Sequence, residues 1–494
     1  MDAVNKNKNK PLGTGKHEIE DIQLYAKGEL DKYMEDPLMS NLDVEDLTKL
    51  KSLIAICSLL SERRKVDKII TTYLNPIPKL ANRWKDGKVR FHLNPLGART
   101  GRFTSGGSWK FYENEVATTI QGMNAQNLPS ENHEIRLIFK AEPGRIFVGG
   151  DISQQEPKLT AHISQDDGMI QVYEDGKDIY ASIAQSIYHN NYEDNLEFYD
   201  KEKTQINLEG KKRRKVGKVI ILATMYGMGA KSVALKLGIS TKEADEMLQA
   251  FYNQYVGVKK AINVSINSCK QYGFVEDILG RKRRLPNIQL PPYQTYFIGE
   301  PTQEARVADQ LIKVALEGKT LLSANELNKL RQQAIQHNIG IISNEEFIKK
   351  AERQSFNARI QGSAATLTKM IMVMIDKNKT IKELGGRIVF QIHDELILDC
   401  PIENAEAIKN ELKRIMEESS TAVGVVLPMK CDIVSENRWG EETMTSELKV
   451  AYEELLAENT ENALEKLCNE FCNFPKESIS QIIRGDSEVL KFEW

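Results

Sequence analysis

What this sequence lacks narrows its class first. It has no excess of either charge: 67 Lys and Arg stand against 70 Asp and Glu, a formal net charge of −3 over 494 residues. Bulk charge therefore points to no partner, and any nucleic-acid surface must be local. Cysteine is scarce. The six residues, at 57, 269, 400, 431, 468 and 472, contain no Cys-x-x-Cys pair. Cys468 and Cys472 lie four apart on a helical pattern with no nearby histidine, which is the spacing of core packing rather than of zinc. This usage fits a reducing compartment. The polar, Lys/Asn-rich segment Met1–Lys16 has no apolar core, which excludes a secretory signal there. No apolar run approaches the ~20 residues of a membrane span. A soluble, cytoplasmic protein is expected. No internal repeat is present. Gly13-Thr-Gly-Lys16 and Gly227-Met-Gly-Ala-Lys-Ser232 both lack the full glycine and Ser/Thr spacing of a phosphate-binding P-loop, and Arg484-Gly-Asp486 is read as chance. With 41% hydrophobic residues, the chain can bury a large core in more than one lobe.

What is present centres on two acidic segments far apart in the chain. Arg145-Ile-Phe-Val-Gly-Gly runs into Asp151-Ile-Ser-Gln-Gln-Glu156. Arg387-Ile-Val-Phe-Gln-Ile runs into His393-Asp394, and Glu395-Leu-Ile-Leu runs back out. The first reads as a strand ending in an acid, the second as a hairpin over 387–399 with the acid at its tip. Between them, Lys211–Gly227 reads as a basic helix. Carboxylates on strand ends facing a cationic helix describe a site for metal-assisted phosphoryl transfer, because carboxylates hold a polyphosphate only through bridging cations.

Residues 1–20 read as a flexible tail. A helix is expected over about 43–74, with Leu50, Leu53, Ile54, Cys57 and Leu60 on one face, followed by a turn and short strand at 85–92. Helices dominate 165–285, including 232–237 and 241–255. The stretch 287–350 changes character: Pro291-Pro292-Tyr293, then charged helices at 303–316 and 324–337. Further helices are expected at 352–377 and 404–417, with a helical extension over 442–494. A few strands among long helical excursions imply an α+β protein with a small antiparallel sheet.

In the basic helix Arg214, Lys218, Leu222 and Tyr226 are each four apart, so they lie along one face over about 18 Å. That face could hold phosphates at its basic end and a base and sugar toward Tyr226; it could also be an amphipathic surface helix. In the 352–377 helix Arg353, Asn357 and Gln361 repeat the spacing. All three donate hydrogen bonds, and minor-groove acceptors are alike on every base pair, so such a stripe would sense pair geometry rather than sequence; it could also be an ordinary polar helix stripe.

Taken in order, these segments resemble the family A (DNA polymerase I-like) DNA polymerases. The resemblance rests on Thr100-Gly-Arg102-Phe-Thr-Ser105 with Asn124-Ala-Gln-Asn127-Leu-Pro129, on Asp151 to Glu156, on Arg214 to Gly227, on Arg353-Gln-Ser-Phe-Asn357-Ala-Arg-Ile-Gln361-Gly, and on Gln391-Ile-His-Asp394-Glu395. It covers roughly 50–441, apart from 287–350. It implies a right-hand fold: a thumb-like region at 21–99, palm at 100–164 and 351–441, fingers at 165–286 and an insertion at 287–350. It also implies that Asp151 and Asp394 hold two Mg²⁺ ions, that Arg214 and Lys218 bind the triphosphate of a dNTP, and that Lys218 protonates pyrophosphate. Gln154 would line the nucleotide site. Glu156 would exclude a ribose 2′-hydroxyl, and Tyr226 would pack at the templating pair. Arg102 and Gln361 would contact primer-template DNA, supported by Arg353 and Asn357, with His393 near the primer end. Arg136 and Arg281 match family positions without an assigned role.

The departures from the family pattern are specific. Ile152 replaces the usual Tyr, and Pro157-Lys158 replaces Leu-Arg; a proline is tolerated in a first helical turn. Leu222 stands where an aromatic packs on the sugar, and Tyr180 where a histidine contacts phosphate. The residues ahead of Lys85 are too few for a proofreading domain plus a thumb, so no 3′→5′ exonuclease is expected in this chain. A monomer of phage, prophage or repair type is expected, with a processivity factor or a separate exonuclease as further partners. The insertion is read first as a brace. Two alternatives stay open: a single-subunit RNA polymerase, against which Glu156 argues, and a silent DNA-binding protein, against which Asp151, Lys218 and Asp394 argue.

Overall fold

The computed structural model describes residues 16–441 except 36–43, 85, 114–115, 129–132, 201–204, 299–304, 318 and 320. The expected 442–494 extension and most of the expected 1–20 tail fall outside these residues. Among the described residues no helix is long and apolar enough to cross a membrane.

The chain divides into two compact units. Among the described residues, one comprises those within 16–93, 105–140 and 438–441. Its helix Lys16–Glu35 begins inside the expected tail, with Ile19 buried. That helix packs on Val44–Ile69 through Gln23 Nε2, which donates to Ser58 Oγ at 2.8 Å. The Val44 helix widens into a π-helical turn at Ile70–Leu74, where Asn75 N donates to Ile70 O at 2.9 Å, then the chain enters the short helix Pro76–Trp84. Of the face read from the sequence, Cys57 is buried whereas Leu60 is exposed. The short strand expected at 85–92 falls instead at Leu93–Asn94. An antiparallel hairpin, Ser108–Glu113 with Val116–Gln121, was not expected. Trp109 at its start stacks on His92 at 4.0 Å and meets Trp84 edge-on at 4.9 Å.

The other unit, 94–104 with 141–437, carries a four-stranded antiparallel sheet. Its order is Arg387–Ile392, Glu395–Pro401, Arg145–Ile152, Cys431–Glu436. Gly149 and Gly150 let both neighbours close on the central strand: an added Cβ would lie 2.3 Å from Leu396 O at Gly149 and 2.0 Å from Asp432 O at Gly150. Asp399, buried within the sheet, accepts from Arg145 Nε at 2.8 Å and Arg387 Nη2 at 2.6 Å, so the buried carboxylate is paired. The hydrophobic core unites Val148, Leu396 and Leu398 of the sheet with Ile408, Leu412 and Met416 of the helix Ala405–Ala422 and with Ile360 and Leu367 of the long helix Glu345–Lys377. The α+β class expected from the sequence is the observed one.

The long helix starts seven residues before the expected 352, with Glu345 and Glu346 in its first turn, where acids complement the helix dipole. The 287–350 stretch is more than the two expected helices. Its helices Ala305–Ala315 and Ala324–Ile335 lie between the two strands of an unexpected antiparallel pair, Tyr293–Phe297 with Ile339–Ser343, and share with it a small core of Tyr293, Ile312, Leu330 and Ile339.

Candidate active site

Local structure explains why the two acids meet. Asp151 is the penultimate residue of its strand, and Asp394 lies in the two-residue turn between the paired residues Ile392 and Glu395. His393 holds that turn in the left-handed region at φ 55°, which costs a non-glycine residue about 1–2 kcal/mol. Gln391 Nε2 donates to His393 O at 2.7 Å and steadies it. Both acids line a cavity of about 480 Å³.

The basic helix spans Leu208–Tyr226, and Asn207 caps it by accepting from Gly210 N at 2.9 Å. It lies close against the helix Ile179–Tyr188 because Gly217 faces Tyr180 O; an added Cβ there would sit 2.1 Å from that carbonyl. The contact places the buried Tyr180 ring beneath two cations, 5.0 Å from Arg214 Cζ and 6.0 Å from Lys218 Nζ. Burial, then the Asp178 charge, pushes the Tyr180 hydroxyl up to about 12.

Asp178 was not singled out from the sequence, yet it organises this wall. Its Oδ1 caps the Ile179 helix by accepting from Ala181 N at 2.8 Å. Its Oδ2 accepts from Arg214 Nη2 at 2.9 Å and from Gln154 Nε2 at 3.0 Å. The signal was available: an Asp directly ahead of an apolar helical run is an N-cap.

Glu156 lies in the first turn of the helix Gln155–Ser164, where Pro157 is accommodated as expected. It is ion-paired with Arg102, and Tyr226 Oη donates to its other oxygen at 3.3 Å. Gln361 hydrogen-bonds the Tyr226 hydroxyl. The Asp394 carboxyl is pushed up to about 6, first by burial and then by the Asp151 charge.

Of the residues singled out from the sequence, Arg102, Asp151, Gln154, Glu156, Tyr180, Arg214, Lys218, Leu222, Tyr226, His393 and Asp394 line the one cavity. Gln361 stands just behind it, buried, through Tyr226. Arg353 and Asn357 are not among its lining residues; Arg353 is exposed and packs on Gly227, and Asn357 is half-buried. Ala364, Ala365 and Thr368 of the long helix line the cavity and were not foreseen.

Among the described residues no three His, Cys, Asp or Glu side chains are grouped to hold a metal. A carboxyl whose proton affinity is raised by burial and by a neighbouring carboxylate does fit a hard divalent cation, which would relieve the repulsion on it. Mg²⁺ sites commonly use one or two carboxylates and leave the remaining positions to water and phosphate oxygens.

Residues 17–441 match the sequence model described as DNA polymerase family A. The chain belongs to this family. Among its relatives, DNA polymerase I of Chloroflexus aurantiacus is 27% identical over 404 residues, covering 81% of this chain and 34% of the relative. DNA polymerase I of Borreliella burgdorferi is 28% identical over 428 residues, covering 86% and 37%. This family A chain thus spans about a third of the length of the curated relatives it matches. Its fold is that of a solved polymerase domain, the POL domain of Pol1 from M. smegmatis in complex with DNA primer-template and dNTP, with a TM-score of 0.55 at 20% identity over 85% of this chain and 64% of that one.

Proposed function

We propose that this chain is a template-directed DNA polymerase that adds deoxynucleotides to a primer 3′-hydroxyl and releases pyrophosphate. The observation that carries the reading is the single cavity lined by Asp151 and Asp394 together with Arg214 and Lys218. Family membership supports it. In this reading the sheet and its flanking helices are the palm, the 165–286 helices the fingers, and the 21–99 helices the thumb.

Asp151 and Asp394 would hold two Mg²⁺ ions. What bound Mg²⁺ supplies in such a site is activation of the primer hydroxyl and neutralisation of charge on the triphosphate. Arg214, kept in place by Asp178, binds the triphosphate as a planar donor fork. Lys218 gives its proton to the leaving pyrophosphate oxygen. Tyr180 supplies a flat, neutral floor beneath both cations. Glu156, tied by Arg102 and Tyr226, occupies the space a ribose 2′-hydroxyl would need. Leu222 presents an aliphatic surface to the sugar, Tyr226 packs at the templating pair, and Gln154 steadies Asp178. Arg102, Gln361, Arg353, Asn357 and His393 face the primer-template on this reading.

The test is extension of a labelled primer on DNA and RNA templates with Mg²⁺, using dNTPs or NTPs. Extension on DNA with dNTPs, with products complementary to the template, is expected. Equal use of NTPs would point to an RNA polymerase, and tight DNA binding without extension to a silent binder. Omitting dNTPs reads the proposed lack of a 3′→5′ exonuclease, as an unshortened primer. Sedimentation of the free protein reads the proposed monomer.

A further inference from the structure

Arg281 lies outside the cavity, in the turn between the short strands Phe274–Glu276 and Lys282–Arg284. Its guanidinium is threaded between two glycines. An added Cβ would lie 2.5 Å from Arg281 Cζ at Gly101 and 2.8 Å from Nη2 at Gly362. Gly101 also adopts φ 86°, a conformation that L side chains rarely take. Nη2 donates to Thr100 O at 2.7 Å, and Nε donates to Asp277 Oδ2 at 3.1 Å.

The Asp277 side chain is only 1% exposed and is itself held from several sides. Its Oδ1 accepts from the amides of Leu279 at 3.0 Å and Arg281 at 2.9 Å; its Oδ2 accepts from Thr366 Oγ1 at 2.7 Å. The guanidinium therefore has a fixed countercharge on one side and grips a backbone carbonyl with the other. That carbonyl is two residues from Arg102, which is ion-paired with Glu156 at the cavity. A separate tie holds the same segment elsewhere: Lys369 Nζ donates to Pro95 O at 2.7 Å and lies 5.1 Å from the Phe103 ring.

We propose that Arg281 is a positioning residue for nucleotide addition. By holding the Thr100 carbonyl it fixes the backbone from which Arg102 reaches Glu156, and so sets the placement of the 2′-hydroxyl gate. The proposal rests on the polymerase reading of the cavity. A guanidinium that merely stabilises the fold would act independently of Arg102; a clamp acts through it.

The experiment is a double-mutant cycle on single-nucleotide insertion: wild type, Arg281→Met, Arg102→Ala and the double variant. It is accompanied by amide hydrogen exchange over residues 97–104. Arg281→Met should lower kcat/KM for a dNTP by roughly 10- to 100-fold, the scale of a small misplacement of a contacting group. In the Arg102→Ala background the same change should cost less than about twofold. Because Arg281→Met strands the buried Asp277 carboxylate, Gly362→Ala is the second variant: it keeps the arginine but crowds its Nη2. Faster exchange over 97–104 is expected in both single variants, at a Tm within a few degrees of wild type for Gly362→Ala. Independent, multiplicative losses in the cycle would overturn the proposal. So would unchanged exchange over 97–104 in both variants. If wild type inserts no nucleotide, the polymerase reading has failed, and the exchange measurement still decides whether the clamp exists.

Discussion

The Arg102 guanidinium is ion-paired with the Glu156 carboxylate, and Tyr226 reaches the same carboxylate from the end of the basic helix at 3.3 Å. A long acidic side chain held by two partners cannot swing aside for an extra hydroxyl. Glu156→Ala should therefore raise the ratio of NTP to dNTP kcat/KM by at least roughly 10-fold. An unchanged ratio would remove Glu156 from the gate.

Asp394 yields a prediction on stability. Burial first, then the Asp151 charge, lifts its carboxyl from the ordinary 3.8 to about 6. The folded chain then holds this proton more tightly than the unfolded chain, so the Asp394 contribution to stability falls as pH rises between those values. Without divalent ions, Asp394→Asn should stabilise the protein by roughly 1–2 kcal/mol at neutral pH, the partial exposure of the site keeping the gain below the full shift. The gain should vanish near pH ~4. Urea unfolding at the two pH values measures it. Adding Mg²⁺ should raise the Tm of wild type more than that of the variant. A destabilised Asn variant at neutral pH would contradict mutual repulsion of the two acids.

Lys158 is buried, and its Nζ lacks a hydrogen-bond partner. Burial, then the Lys430 charge, pushes its amine down to about 8. The unfolded chain binds this proton up to 10.5, so stability should rise with pH between about 8 and 10.5 on its account. Lys158→Met should stabilise the protein by roughly 1–3 kcal/mol at neutral pH, with the gain fading toward the upper value. The Tyr173 ring, 6.0 Å from the amine, offsets little of this. Thermal unfolding across that range is the check, and a destabilising Lys158→Met would reveal an anion or water paired with the amine.

Leu222 lines the cavity proposed to take the nucleotide, one helical turn after Lys218. An aliphatic side chain offers the sugar no aromatic face. Leu222→Phe should change the ratio of dideoxynucleotide to deoxynucleotide incorporation several-fold, read by competition in primer extension. The same ratio in both proteins would show that this position does not sense the sugar.

Much of this site was legible in the sequence because its elements are strongly periodic. The apolar runs into Asp151 and Asp394 and the four-residue spacing from Arg214 to Tyr226 are short-range patterns that the fold leaves intact. What escaped is non-local or local but weak. Tyr293–Phe297 pairs with Ile339–Ser343 across two intervening helices, so no hairpin spacing announces it. The Ser108–Glu113 and Val116–Gln121 pair did carry a strand signal in its aromatic and β-branched residues. The ties of Asp178 to Arg214, Arg102 to Glu156 and Arg281 to Thr100 join residues distant in the chain, and a single sequence holds no trace of such pairings.

The most direct measurement is single-turnover primer extension with Mg²⁺ and dNTPs by wild type and Asp394→Ala, with binding of the same primer-template followed in parallel. The account predicts extension by wild type, a loss of several orders of magnitude in the variant, and DNA affinity within a few-fold in both. Extension that survives in Asp394→Ala would contradict the assignment of the two aspartates as the catalytic centre.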